Sequence, residues 1–159
     1  MRNDVSVVAT VMSVDPDCSP EITAMIGVSA AIAISDIPWD GPIGGVVVGL
    51  VDGKFVIHPT AEEEVRSDMH VTVASTADLV AMIEAGANEV DNDTMFDGIM
   101  AGHAANQEIV KFINDITAAI GKEKIPFQSN DPDPAMYEAV KDFAIEKVRA
   151  AVKESDFYG

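Results

Sequence analysis

"GGVVVGLVDGKFVIHP", residues 44–59, sets two apolar, β-branched runs on either side of Asp52-Gly53. An Asp-Gly pair suits the type I′ turn, whose backbone twist matches that of two paired strands. The spacing therefore predicts an antiparallel hairpin, and a sheet built around it. Working outward, "MHVTVAS" (69–75) repeats the β-branched alternation and predicts a third strand. "LVAMIEA" (79–85) fits either a strand or a helical turn, and beside the hairpin it reads as a fourth strand. Between them, "AEEEVRSDMHVTV" (61–73) places three glutamates and an aspartate just ahead of the third strand. That cluster is either a metal and acid/base site or a solvated loop.

Upstream, "VSVVATVMSV" (5–14) is apolar and roughly alternating, which predicts a mostly buried strand. From Ser19 the period becomes helical, with Ile22, Ile26, Ser29/Ala30, Ala33 and Ile37 on one face. Ser19 suits the N-cap, Pro20 the first helical position, and Glu21 complements the helix dipole. Pro38 and "DGP" end this helix. Downstream, "VDNDTMF" caps a long helix to about Ile120, with Ile99, Gly102, Ile109, Ile113, Ile116 and Ile120 on one face and Gly121 as the stop. Three prolines mark 122–134 as a linker or an extended crossing. Asp133 and Pro134 open a last helix whose apolar face is Met136, Val140, Phe143, Val148 and Ala151. The expected organisation is a core over 1–121, a linker over 122–134 and a helical segment over 135–159. A lone helix after a linker has little to pack on, so further helices are expected beyond it.

Composition narrows the function classes. With 159 residues and 48% apolar content the chain can bury a real core. Ten basic against 27 acidic residues give a net charge of −17, which repels a nucleic-acid backbone over most of the surface. No apolar run reaches the ~18 residues a membrane span needs. The start lacks the basic and apolar segments of a secretory signal. The single Cys18 has no internal disulfide partner and fits a reducing cytoplasm.

Local motifs for chemistry fail on spacing. "DNDTMFDG" (91–98) has acids at calcium-loop intervals, but Phe96 takes the glycine position and Gly102 that of the bidentate glutamate. Helix capping by Asp91 to Asp93 explains the acids. "GPIGG" lacks phosphate-loop spacing and precedes a strand. His58, His70 and His103 show no i, i+4 pair, so a zinc site is not indicated. His103 reads as packed or hydrogen-bonded within the helix layer.

The stretch "VVATVMSVDPDCSPEITAMIGVSAAIAISDIPWDGPIGGVVVGLVDGKFVIHPT", continued by "VTVASTADLVAMIEAGANEV" and "MAGHAANQEI", resembles the first RNase PH-like core of the bacterial polynucleotide phosphorylase family. Residues 122–159 look like the start of that family's all-helical domain. The resemblance implies an α/β (α+β) fold, an RNase PH-like mixed sheet with packed helices, followed by a short all-α segment. It also implies an internal segment of a longer protein, with Met1 as an added start. Members of the family degrade RNA from the 3′ end with inorganic phosphate and magnesium, releasing nucleoside diphosphates. They are cytoplasmic homotrimers, with RNA and degradosome-type proteins as partners and no membrane. Their second core holds the active site, whereas the first is degenerate and builds the ring.

The resemblance also tests the acidic cluster residue by residue. The active core has a phosphate-binding serine cluster where this chain has Ser19-Pro20-Glu21. Its metal and acid/base positions fall on Glu64, His70 and Thr72. Glu21 puts a carboxylate where an anion would sit, only Glu64 keeps a metal-binding carboxylate, and Thr72 replaces a lysine. The expectation is an inactive segment with a loop at 61–68 and an architectural, trimer-building role. No catalytic, phosphate-binding or metal residue and no cofactor is assigned to it, and its RNA-contacting residues are left unknown. Two other readings stand beside this one, an independent acidic α/β interaction module and an RNase PH-like exosome-type subunit.

Overall fold

The computed structural model describes residues 4–127 and 131–154, and divides the chain into two compact units, one over Asp4–Pro126 and one holding the segment from Phe127 onward. In the first unit the elements run α1 (Pro20–Ile34), β1 (Gly44–Val51), β2 (Lys54–Ile57), α2 (Ala61–Arg66), β3 (Met69–Ser75), β4 (Val80–Ala87) and α3 (Asn92–Ile120). The second unit contains α4 (Pro134–Glu154).

The hairpin forms as its turn residues require. Asp52 and Gly53 have φ of 51° and 74°, both in the left-handed region that a type I′ turn demands. Val51 then faces Lys54 at the start of the register. The four strands lie in the order β2-β1-β3-β4. The α/β class holds, with helices packed on a sheet. The sheet is antiparallel at all three pairings rather than mixed, because no helical crossover joins neighbouring strands.

Alternation along the strands sorts the two faces. Val46 and Val48 of β1 and Val71 and Val73 of β3 are fully buried and form the core with Met69. Each such valine contributes roughly 1.5–3 kcal/mol relative to exposure. Ile99, Ala105 and Ile109 of α3 pack against this cluster. The helix sits low on the sheet because Gly98 and Gly102 have no side chain there; a Cβ on Gly102 would lie 2.9 Å from the Cγ2 of both Val48 and Val73. The buried line of α3 is consequently Gly98, Gly102, Asn106, Val110 and Ile113. Ile99, Ile109 and Ile116 flank that line half-buried, and Ile120 is exposed. Asn106 is wholly buried and donates from Nδ2 to the Val73 carbonyl at 2.9 Å. His103 is buried in the same layer, with Nε2 3.5 Å from Gln107 Nε2.

Several sequence expectations are corrected. Residues 5–14 form no strand and are exposed throughout, with Val8 84% and Met12 90% accessible. Strand propensity expresses fit to a neighbouring pleated surface, and among the described residues no ladder partner meets this run. The acidic stretch is not a loop: Ala61–Arg66 is the short helix α2. A reciprocal cap nucleates it, in which Glu63 N donates to Thr60 Oγ1 at 3.3 Å and Thr60 N donates to Glu63 Oε2 at 2.9 Å. Helix α1 stops at Ile34, short of Ile37, because Ser35 turns extended and its hydroxyl donates back to the Ile32 carbonyl at 2.8 Å.

The proline-containing stretch after α3 is fastened to the first unit at its beginning. Lys122 N donates to Ile34 O and Ile125 N to Asp36 O, each at 2.9 Å. Lys124 Nζ donates to the carbonyls of Ile32, Ala33 and Ser35 at 3.1, 2.8 and 2.6 Å. A cation there satisfies the free carbonyls and complements the negative end of the α1 dipole. In the second unit, Asp133 caps α4 by accepting from Met136 N at 3.0 Å, and none of the helix residues is buried.

Candidate functional site

The sheet face opposite α3 carries Val47 of β1, His70 and Thr72 of β3, and Met82 and Glu84 of β4, since Val47 and Glu84 are both register partners of Thr72. This face forms the floor of a cleft of about 530 Å³. The N-terminus of α1 supplies Ser19, Glu21, Ile22 and Met25 on one side, and His58, Pro59, Ala61 and Glu64 close the other. All five positions that the resemblance singles out beyond Pro20, namely Ser19, Glu21, Glu64, His70 and Thr72, line this one cleft. They come from residues up to 53 positions apart in the chain. Only the antiparallel register and the α1 N-cap bring them together.

At the α1 N-terminus, Ser19 Oγ accepts from Ile22 N at 3.3 Å and donates to Glu21 Oε2 at 2.8 Å. The Glu21 carboxyl is held below its ordinary value, first by its own backbone N–H and then by the Ser19 hydroxyl. The chain's own carboxylate thus takes the position an incoming anion would use. Across the cleft, Asp17 Oδ1 accepts from Ala61 N at 3.4 Å.

Glu64 Oε1 lies 3.9 Å from His70 Nδ1, the outer limit of an ion pair, with both side chains about half exposed. Thr72, two residues along β3, adds a neutral hydroxyl. His58 follows β2 with φ of 54°, and loss of solvation over the cleft lowers its imidazole below the ordinary value. Magnesium prefers several hard oxygen ligands in octahedral array. A single carboxylate beside an imidazole and a hydroxyl does not fit it. Among the described residues no group of three His, Cys, Asp or Glu side chains is arranged around a metal position.

The lining thus carries four carboxylates, Asp17, Glu21, Glu64 and Glu84, and two histidines, with no lysine or arginine. Asp17, His58 and Glu84 are cleft residues that sequence reasoning missed. Period-2 alternation through "VAMIEAGA" places 82, 84 and 86 on one face, but which neighbour Glu84 meets depends on a register the sequence does not display.

Residues 41–105 match the model of the 3′ exoribonuclease family, domain 2. That span contains the whole sheet, α2 and the sheet-packed first half of α3, so the likeness to that family rests on these elements. Along nearly its full length it is similar to polyribonucleotide nucleotidyltransferases. It is 53% identical to that of Ruminiclostridium cellulolyticum over 98% of this chain, and 51% identical to that of Heliobacterium modesticaldum over 98%. The relative from Clostridioides difficile is 49% identical over 96%. The chain spans about 22% of the length of each of these three curated relatives.

Proposed function

We propose that this chain is the architectural part of a phosphorolytic 3′-to-5′ exoribonuclease, and that its own cleft is catalytically silent. The whole protein would bind RNA, attack its terminal phosphodiester with inorganic phosphate and release nucleoside diphosphates. It would do so as a cytoplasmic homotrimer, with magnesium held in a separate core and with degradosome-type proteins among its partners. The organisation proposed for this segment is a degenerate core over 1–121, a linker over 122–134 and a helical segment from 135. The relatives' shared name, polyribonucleotide nucleotidyltransferase, supports the reaction class. Among the described residues no helix is long and apolar enough to cross a membrane.

The observation that carries the silent cleft is its charge. Phosphoryl transfer needs cations around the phosphate and in-line oxygens. Here four carboxylates face the space and no lysine or arginine does. At ~5 Å, even in bulk water, one carboxylate opposes a phosphate dianion by roughly 1–2 kcal/mol. Glu21, already hydrogen-bonded at the helix N-terminus, would have to be displaced as well. The test is phosphorolysis of poly(A) by the purified chain with phosphate and magnesium, followed by ADP release. No release above background is expected. ADP production that scales with the amount of chain and is abolished by Glu64→Gln would overturn the reading.

A further inference from the structure

β4 is the terminal strand of the sheet, eight residues long, and among the described residues no strand pairs with its outer edge. Its hydrogen-bonding phase follows from one contact. Asn88 N donates to Asp68 O at 2.9 Å, which makes 68 and 88 a hydrogen-bonded pair at the end of the β3–β4 register. Antiparallel pairs alternate. His70↔Gly86, Thr72↔Glu84 and Ala74↔Met82 therefore bond inward, while Ile83, Ala85 and Ala87 turn their N–H and C=O groups to the free edge. The edge has neither the lysine nor the proline with which natural sheets blunt such a template. Met82 and Ile83 are 40% and 47% exposed on its two faces.

The charge around the edge selects what can pair with it. A residue directly opposite Glu84 on an added strand would place its Cβ about 4.5–5.5 Å from that of Glu84. Gly86, next on the same face, leaves room beside it. Glu84 belongs to the cleft that also presents Asp17, Glu21 and Glu64 without a compensating lysine or arginine. A second copy would bring another net −17 to the same surface.

We infer that the β4 edge is a docking site for an extended segment of a partner protein, added as a fifth antiparallel strand with lysine or arginine at alternate positions. Backbone bonds to Ile83, Ala85 and Ala87 fix the register, in the manner of strand addition. The basic side chains run along the Glu84 face towards the acidic cleft, and the intervening apolar ones lie beside Ile83 and Ala85. This site is independent of the phosphorolysis reading, because it uses an edge and a charge that need no RNA chemistry.

The test uses the full chain and a nine-residue peptide alternating lysine with valine, titrated by calorimetry and by amide NMR. The amides of Ile83, Ala85 and Ala87 should gain exchange protection. Replacing the peptide lysines by glutamate, N-methylating its bonding edge, or introducing Glu84→Lys should each weaken binding at least tenfold. Glu84→Gln should give an intermediate loss with an unchanged circular dichroism spectrum, since Glu84 is exposed. Binding indifferent to N-methylation would overturn strand addition and leave only charge attraction. Absence of peptide binding, or a concentration-dependent dimer abolished by Ile83→Lys, would overturn the basic partner, the latter in favour of a second copy.

Discussion

Replacing Gly102 by alanine sets two effects of comparable size against each other, and the packing decides the sign. In an exposed helix interior, Gly→Ala stabilises by roughly 0.5–1 kcal/mol through reduced backbone entropy. At Gly102 the new Cβ would lie 2.9 Å from two valine Cγ2 atoms and 3.1 Å from Val73 Cβ. Both valines are fully buried, and a β-branched side chain has little χ1 freedom with which to move aside. Overpacking of this kind costs about 1–3 kcal/mol. The net expectation is a loss of about 0.5–2 kcal/mol. Gly27 provides the internal control, because it is exposed in α1 and an added Cβ there meets nothing within 4 Å. Gly27→Ala should raise stability by about 0.5–1 kcal/mol. Urea unfolding followed by circular dichroism measures both, with the midpoint moving and the slope unchanged. If Gly102→Ala matched or exceeded the parent in stability, the close seating of α3 on β1 and β3 would be wrong.

Two further perturbations probe the ends of helices. Glu21, Glu63 and Asp91 all titrate below their ordinary values of 4.5, 4.5 and 3.8, chiefly through backbone N–H groups at the starts of α1, α2 and α3. A carboxyl that titrates lower in the folded chain contributes stability above its unfolded value and loses it as pH falls through the folded one. Stability should therefore drop below about pH 4.5, and the combined Glu21→Gln, Glu63→Gln and Asp91→Asn variant should show a shallower acid transition by circular dichroism. Acid curves that superimpose would dismiss the caps as the cause. Lys124→Met removes three hydrogen bonds from the α1 carbonyls and should cost about 1–2 kcal/mol, since the ammonium is only partly buried. Chymotryptic cleavage after Phe127 should accelerate several-fold, and an unchanged rate would show that the lysine does not hold this stretch in place.

What the sequence disclosed and what it hid divide along one physical line. The Asp52-Gly53 turn, the β-branched runs at 44–57 and 69–75, and the Ser19 and Asp91 caps are local, each encoded within a few residues, and each was legible. Residues 5–14 carry an equally strong strand pattern yet form none, because pairing requires a neighbour that local composition does not supply. The 61–66 segment misleads in the opposite sense. Its glutamates suggest solvated coil, but Thr60 and Glu63 satisfy one another's backbone across a single turn, which is enough to start a helix. The face read for α3 held Gly102 and Ile113, both on the buried line. It missed Gly98, Asn106 and Val110 and included Ile120, which is exposed, because the closest seating on the sheet falls at the glycines.

The cleft follows from the same division. Its α3-facing counterpart is fixed by burial: Val46, Val48, Val71 and Val73 leave no freedom without a cavity or an overlap. The opposite face has no such constraint, and a Thr72 or a Glu84 costs little there because solvent still reaches both. Electrostatics is therefore the variable of this surface. A sheet whose core face fixes the geometry can hold a cleft open in the same place with cations or with carboxylates. With Glu21 seated on the α1 N-terminus and no lysine or arginine in the lining, the carboxylates of this cleft oppose a phosphate, as proposed above, and the outer edge of β4, unpaired among the described residues, borders it through Met82 and Glu84.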